Sequence, residues 1–230
     1  MIPPLIVQQA LELGIRLLAI TDHNASANVA AVQKAAQGSE LQVLPGIELQ
    51  TREEVHVLCL FDTLDQLSAF QTEVDALLPA IVNRPDFFGE QFVVDETGDF
   101  IRREERLLLT SVDLSIEEAW QKVSALGGLF IPAHVNRKAF GLIANLGLMP
   151  TGIAIEALEI SRHITAAQAR HTFPQIAGYP LIRSGDVHRL EEYLGVNEFQ
   201  VEQASIAELR LAIQGREGRS LRLLHQGLGG

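Results

Sequence analysis

Residues 17–24 read Leu17-Leu18-Ala19-Ile20-Thr21-Asp22-His23-Asn24. Four apolar residues run into a polar turn that carries an acid and an imidazole. A short apolar run bounded by turn residues fits a buried strand, so residues 17–20 are expected to be one. The flanks agree. Pro3-Pro4 open an apolar-periodic helix running to about Leu13, with Gly14 placed to end it. A helix over about 28–37 follows, closed by Gly38. Outward from there the unit repeats. Strands are expected over 41–44 and 55–60, separated by Pro45-Gly46-Ile47-Glu48, and then at 129–131, 155–160, 181–182 and 199–201. Helices are expected over 64–78, 165–170 and 206–214, with another that starts at a Ser115 cap and stops at Gly127-Gly128. Residues 83–113 break the rhythm. Turn signals at Asn83-Arg84-Pro85-Asp86 and Glu96-Thr97-Gly98-Asp99 surround Phe92-Val93-Val94, which predicts a hairpin or lid-like excursion. Alternating strands and helices favour a parallel barrel or a doubly wound sheet.

Composition narrows the classes. The chain has 230 residues, 47% of them hydrophobic and 20% charged, enough to bury a core and too apolar for disorder. No linker or repeat divides it, so 1–230 is expected to be a single domain. Lys+Arg 18 against Asp+Glu 29 leaves a net charge of −11. That field repels phosphates, so extended nucleic acid is expected to be a poor partner, whereas a small phosphorylated substrate stays open if bound metal reverses the local sign. Cys59 is the single cysteine, which excludes an intrachain disulfide and a cysteine-based zinc site. No apolar stretch reaches membrane-helix length and no leader pattern opens the chain, so the expected location is cytoplasmic, away from membrane. Neither a phosphate-binding glycine loop nor a Gly-x-Ser-x-Gly elbow is present.

The chemistry collects where strands end. His23 follows 17–20, Glu48 follows 41–44, His56 lies in 55–60, His134 follows 129–131, and Asp186 with His188 follow 181–182. Strand C-termini converge on one face in a parallel barrel or at the edge of an open α/β sheet, and sites are built there. Imidazoles mixed with carboxylates suit zinc, manganese or iron, and a shared carboxylate can bridge two ions. Each residue alone also fits a hydrogen-bonded structural role. Asp22, for example, could cap the loop before Asn28 as readily as support a ligand. His163 could reach a pocket rim, while His171 and His225 read as helix or tail residues. Cys59 reads as packing, and the 102–106 run as a solvated face.

Taken in order, these residues resemble the PHP family (polymerase and histidinol phosphatase domains). Thr21-Asp22-His23 resembles its second motif, and Gly46-Ile47-Glu48 with the histidine of Val55-His56-Val57-Leu58 the ligands that come next. Pro132-Ala133-His134-Val135-Asn136-Arg137 resembles the third motif, and Ser184-Gly185-Asp186-Val187-His188 the fourth, where an Asp-Ala-His triplet is more usual. The resemblance covers most of 5–202. It implies a distorted (β/α)7 barrel with two or three divalent ions (Zn, Mn or Fe) and hydrolysis of phosphate esters. It also implies His23, Glu48, His56, His134, Asp186 and His188 as ligands, Glu48 the bridge, with Arg137 gripping substrate phosphate; Arg137 and Asp22 are the catalytic candidates.

One departure stands out. The family opens with a strand ending in His-x-His, and this chain has no histidine before His23. The expectation is that Met1 is an internal codon, that the true start lies about twenty residues or more upstream, and that the barrel here lacks its first strand. The competing explanation is a short form that has lost activity, leaving a metal-binding or interaction module. A metal-dependent hydrolase of a non-phosphate substrate is a third possibility.

Overall fold

A computed structural model describes residues 1–224; His225 lies outside them. The elements alternate as α1 (Pro3–Glu12), β1 (Leu17–Ile20), α2 (Val29–Ala35), β2 (Gln42–Gln50), β3 (His56–Leu60) and α3 (Leu64–Leu77). A short α4 (Pro85–Phe88) and the hairpin β4 (Phe92–Val94) and β5 (Phe100–Arg103) form the excursion expected at 83–113. Then come α5 (Ile116–Ala125), β6 (Leu129–Pro132), α6 (Leu142–Leu146), β7 (Leu158–Ile160), α7 (Ala166–Thr172), β8 (Leu181–Arg183), β9 (Asn197–Gln200), α8 (Ile206–Gln214) and β10 (Ser220–Leu223). Helix starts follow side-chain chemistry. Thr63, Ser115 and Thr165 each accept the N3 backbone N–H, while Gln66, Glu118 and Gln168 return a bond to the cap.

Among the described residues the strands do not close into the expected barrel. One sheet has the order β1-β2-β3-β6, and β7 pairs only with β8. Nor is it all parallel. β1 and β2 are parallel, but β3 runs antiparallel to both β2 and β6. The cause is the short connection between Gln50 and His56. Parallel neighbours need a crossover of a dozen or more residues, and a tight loop returns the chain antiparallel. β2 is also continuous through the Pro45-Gly46 step that the sequence marks as a break. Pro45 is the last residue paired with β1, Gly46 the first paired with β3, and Pro45 O accepts the Phe61 N–H. Proline is tolerated where a strand changes partners. Gly46 is needed there, because a Cβ would come within 2.8 Å of Leu60 Cδ2 and 3.1 Å of Ile20 O.

Two apolar clusters hold the sheet. Ile47, Leu49, Val57, Cys59, Phe130, Leu158 and Ile160 face the helices, packed against Phe61, Phe70, Val74 and Val123. Leu44, Leu60, Leu129, Ile131 and Ile182 face the other way, closed below by Leu209 and Ile213 of α8. This alternation along each strand sends the intervening polar residues of β2 and β7, Glu48 and Glu159, to the inner face. Between β1 and β8 lies a cavity of about 1080 Å³, lined by Leu17–Ile20 on one side and by Ile182, Arg183 and Ser184 on the other.

Candidate metal centre

Glu48 is the hub. It lies within β2, not after it, and is 6% exposed. Its Oε1 is 2.7 Å from His56 Nδ1 and 3.2 Å from His134 Nε2, and its Oε2 is 3.9 Å from His23 Nδ1. Because β3 is antiparallel, His56 stands at its start, at the same end of the sheet as the finish of β1 and β6. The antiparallel strand thus delivers His56 to a face reached otherwise by strand C-termini. Phe140 stacks on the His56 ring with centroids 4.5 Å apart, and its carbonyl accepts the His56 N–H.

Ligand-capable atoms of His23, Glu48 and His56 lie within 4.8 Å of one another, as do those of Glu48, His134 and Asp186. The two sets share Glu48. His134 and Asp186 hold left-handed backbone, φ +29° and +49°. His23 Nδ1 and His134 Nδ1 are buried with no hydrogen-bond partner. Buried polar atoms are rarely left so, and an orphaned His23 nitrogen 3.9 Å from a carboxylate that His134 Nε2 also approaches fits a divalent cation. Burial works against ionising Glu48, but the hydrogen bonds from His134 and His56 prevail and hold its carboxyl well below the usual carboxylate range. Burial lowers the His23 imidazole despite the opposing pull of Glu48. Both shifts favour the forms that bind metal, an anionic carboxylate and a neutral imidazole.

The other expected residues surround this hub. Asp22 Oδ2 accepts a bond from Asn28 Nδ2 at 3.3 Å, and the Asp22 carbonyl accepts the Glu48 N–H, so Asp22 does brace the loop before Asn28. The Arg137 guanidinium is paired with Asp186 Oδ2. His188 belongs to neither set. Its side chain is 61% exposed, its Nδ1 lies 2.9 Å from Asp186 O, and its ring is 5.7 Å from that of His23. His163 and His171 do not line the cavity.

Three contributors escape the motif pattern. Asn24, fully buried with φ +49°, accepts the Gln50 N–H and donates to Leu108 O and Thr110 O, tying the excursion to the loop that bears His23. Gln50 Oε1 lies 3.4 Å from His56 Nε2. Glu159, 2% exposed, accepts the His134 N–H on Oε1 and the Ser184 hydroxyl on Oε2. Burial lifts its carboxyl to about 7, against the pull of the Ser184 bond. The signal for Glu159 was in the sequence, since a lone acid between Leu158 and Ile160 must face away from both.

No family model matches the chain. It is 23% identical over 227 residues to YqxK, an uncharacterized protein of Bacillus subtilis strain 168, covering 94% of this chain and 56% of that one. Among solved structures it is similar to the lesion-specific endonuclease EndoQ of Pyrococcus furiosus, with a TM-score of 0.66 and 19% identity over 96% of this chain and 53% of that one. It is also similar to a two-domain Bacteroides vulgatus protein containing a predicted PHP-like metal-dependent phosphoesterase, with a TM-score of 0.54 and 10% identity over 96% of this chain and 60% of that one. The chain therefore shares its fold with these proteins, and among the described residues its sheet is mixed and not closed. The chain spans about half the length of YqxK and EndoQ. One expectation is corrected. Endonuclease Q has been solved with a 27-mer duplex carrying an abasic lesion at its active site, and this chain matches that structure with a TM-score of 0.63. Net charge is thus a poor ground for setting nucleic acid aside, because the charge that acts on a phosphodiester is local to the site. No helix of the described residues is long and apolar enough to cross a membrane.

Proposed function

We propose that this chain carries the metal centre of a divalent-metal-dependent phosphoesterase, with nucleic-acid phosphodiesters the first substrates to test and small phosphate esters next. The observation that carries this is the pair of ligand sets sharing Glu48. His23, Glu48 and His56 would hold one ion, and Glu48, His134 and Asp186 another. When bound, two such ions supply an activated water and a clamp on the phosphoryl oxygens. The protein's own groups do the rest. Arg137, partly exposed and paired with Asp186, would fork onto a non-bridging oxygen. His188 donates Nδ1–H to the Asp186 carbonyl, which leaves Nε2 at an exposed edge, where the imidazolium form would give its Nε2 proton to the leaving oxygen and be left neutral. Glu48, His134 and Glu159, all buried, form the floor of the site.

A second reading is a metal-binding module without turnover, since among the described residues the strand that leads into His23, β1, pairs on one edge only. Elemental analysis of chelator-free protein, with His134→Ala and Asp186→Ala as controls, tests the centre. Zinc, manganese or iron that is lost in both variants supports it. Abasic-site duplex, single-stranded DNA and phosphate monoesters with added Mn²⁺ or Zn²⁺ then test turnover. Bound metal with no hydrolysis supports the module, and a folded chain with no metal overturns both readings.

A further inference from the structure

Arg183, the last residue of β8, is 7% exposed, and its Nε is buried with no hydrogen-bond partner. Its backbone is fixed, the N–H donating to Asn197 Oδ1 and the carbonyl accepting Asn197 Nδ2. It lines the cavity between β1 and β8. Every acid that lines this cavity is engaged elsewhere. Asp22 bonds Asn28, Glu40 pairs with Arg16, Glu48 with the histidines, and Glu159 with His134 and Ser184. Asp186 pairs with Arg137, Glu198 with Arg222, and Glu202 with Arg219. None of these carboxylates remains for Arg183, and no ion pair joins it to any acid among the described residues. A guanidinium cannot shed its charge, and a buried charge is tolerated where it is paired.

We infer that Arg183 is the seat of an oxyanion, a phosphate or a carboxylate, bound in the β1–β8 cavity. The planar fork of Arg183 receives two oxygens of the anion at once. Arg183 lies three residues before Asp186 and opens on the same cavity as the candidate metal centre, and stripping the metal lets the seat be tested apart from the proposed hydrolysis. The oxyanion has two sources, a free phosphate or an acidic side chain on an extended peptide entering beside the unpaired edge of β1.

The test uses the full chain stripped of metal with chelator, so that no ion can seat the anion instead. Thermal melts are run in sodium phosphate and in sodium chloride at equal ionic strength. Parallel melts use an extended pentapeptide of alternating valine and glutamate, and its glutamine counterpart. Ligand that binds only the folded state raises the melting temperature, here expected by about 3 °C or more in the wild type at saturation. Arg183→Met should lose that shift and, in chloride, melt at or above the wild-type temperature, because the unpaired buried charge is gone. Arg183→Gln, with direct calorimetric titration, serves if the methionine variant does not fold. A shift with phosphate assigns the small anion, and a shift with the glutamate peptide but not its glutamine form assigns the peptide acid. No shift with either, or equal shifts in wild type and variant, overturns the inference.

Discussion

Replacing Glu159 by alanine isolates one buried carboxylate that fastens two loops. Its Oε1 takes the His134 N–H at 3.0 Å and its Oε2 the Ser184 hydroxyl at 2.7 Å. In Glu159→Ala the serine hydroxyl can turn, but the His134 N–H stays aimed inward beneath a residue that is 1% exposed. An orphaned buried donor costs roughly 1–3 kcal/mol. For a chain of this size that corresponds to about 2–12 °C in melting temperature. Glu159→Gln keeps an oxygen for His134 and turns an amide toward Ser184 Oγ, while removing a carboxylate whose ionisation burial opposes. The glutamine variant should therefore lie within about 1 kcal/mol of wild type. Urea titration in excess chelator, followed by the fluorescence of Trp120, gives both values free of any metal contribution. Trp120 is the single tryptophan, and its indole N–H bonds Ala154 O. If glutamine costs as much as alanine, or alanine costs nothing, the carboxylate is not holding the His134 backbone.

Other consequences can be checked on the same footing. Cys59 is fully buried and burial raises its thiol well above the ordinary value, so it should resist a thiol-labelling reagent in the native chain and react at the rate of opening; rapid labelling at neutral pH would refute this. Asn24→Ala leaves the Gln50 N–H and two carbonyls without their partner and forces alanine to φ +49°, a loss of roughly 3–5 kcal/mol by urea titration; Asn24→Gly should recover about 1 kcal/mol of it. Glu208 is held below its ordinary 4.5 by the Arg219 hydrogen bond, so its stabilising share is present above that pH and is lost as pH falls through the folded value. The stability gap between wild type and Glu208→Gln should accordingly shrink from pH 6 toward pH 3, and a gap that widens on acidification would reverse the sign.

Most of the architecture was legible because it is local. β1, α1, α3, α5 and α8 follow from apolar runs, caps and glycine stops, which neighbouring residues dictate. Two features were not local. The direction of β3 depends on the distance between paired strands, and an apolar run such as Val57-Leu58-Cys59-Leu60 carries no sign for direction. The short loop after Gln50 was the available clue, since it is too brief for a crossover. Barrel closure depends on which strand edges find partners across the whole chain, and the edge of β1 away from β2 finds none among the described strands.

The site divides along the same line. His23, Glu48, His56, His134 and Asp186 were singled out because strand ends were expected to converge, and the structure brings them together around Glu48. His56 reached that face for a different reason, through the start of an antiparallel strand. Of the residues overlooked, Glu159 and Arg183 sit inside or at the end of apolar stretches, where the pattern alone says only that they face inward, while Asn24 sits in a polar turn that gives no sign of burial. What each does there is set by partners 14 to 86 residues away. For Glu159 and Asn24 those partners are present and complete, so both read as fasteners. Arg183 keeps its backbone partner and lacks one for its charge, and that asymmetry is why it points to a ligand while the other two do not.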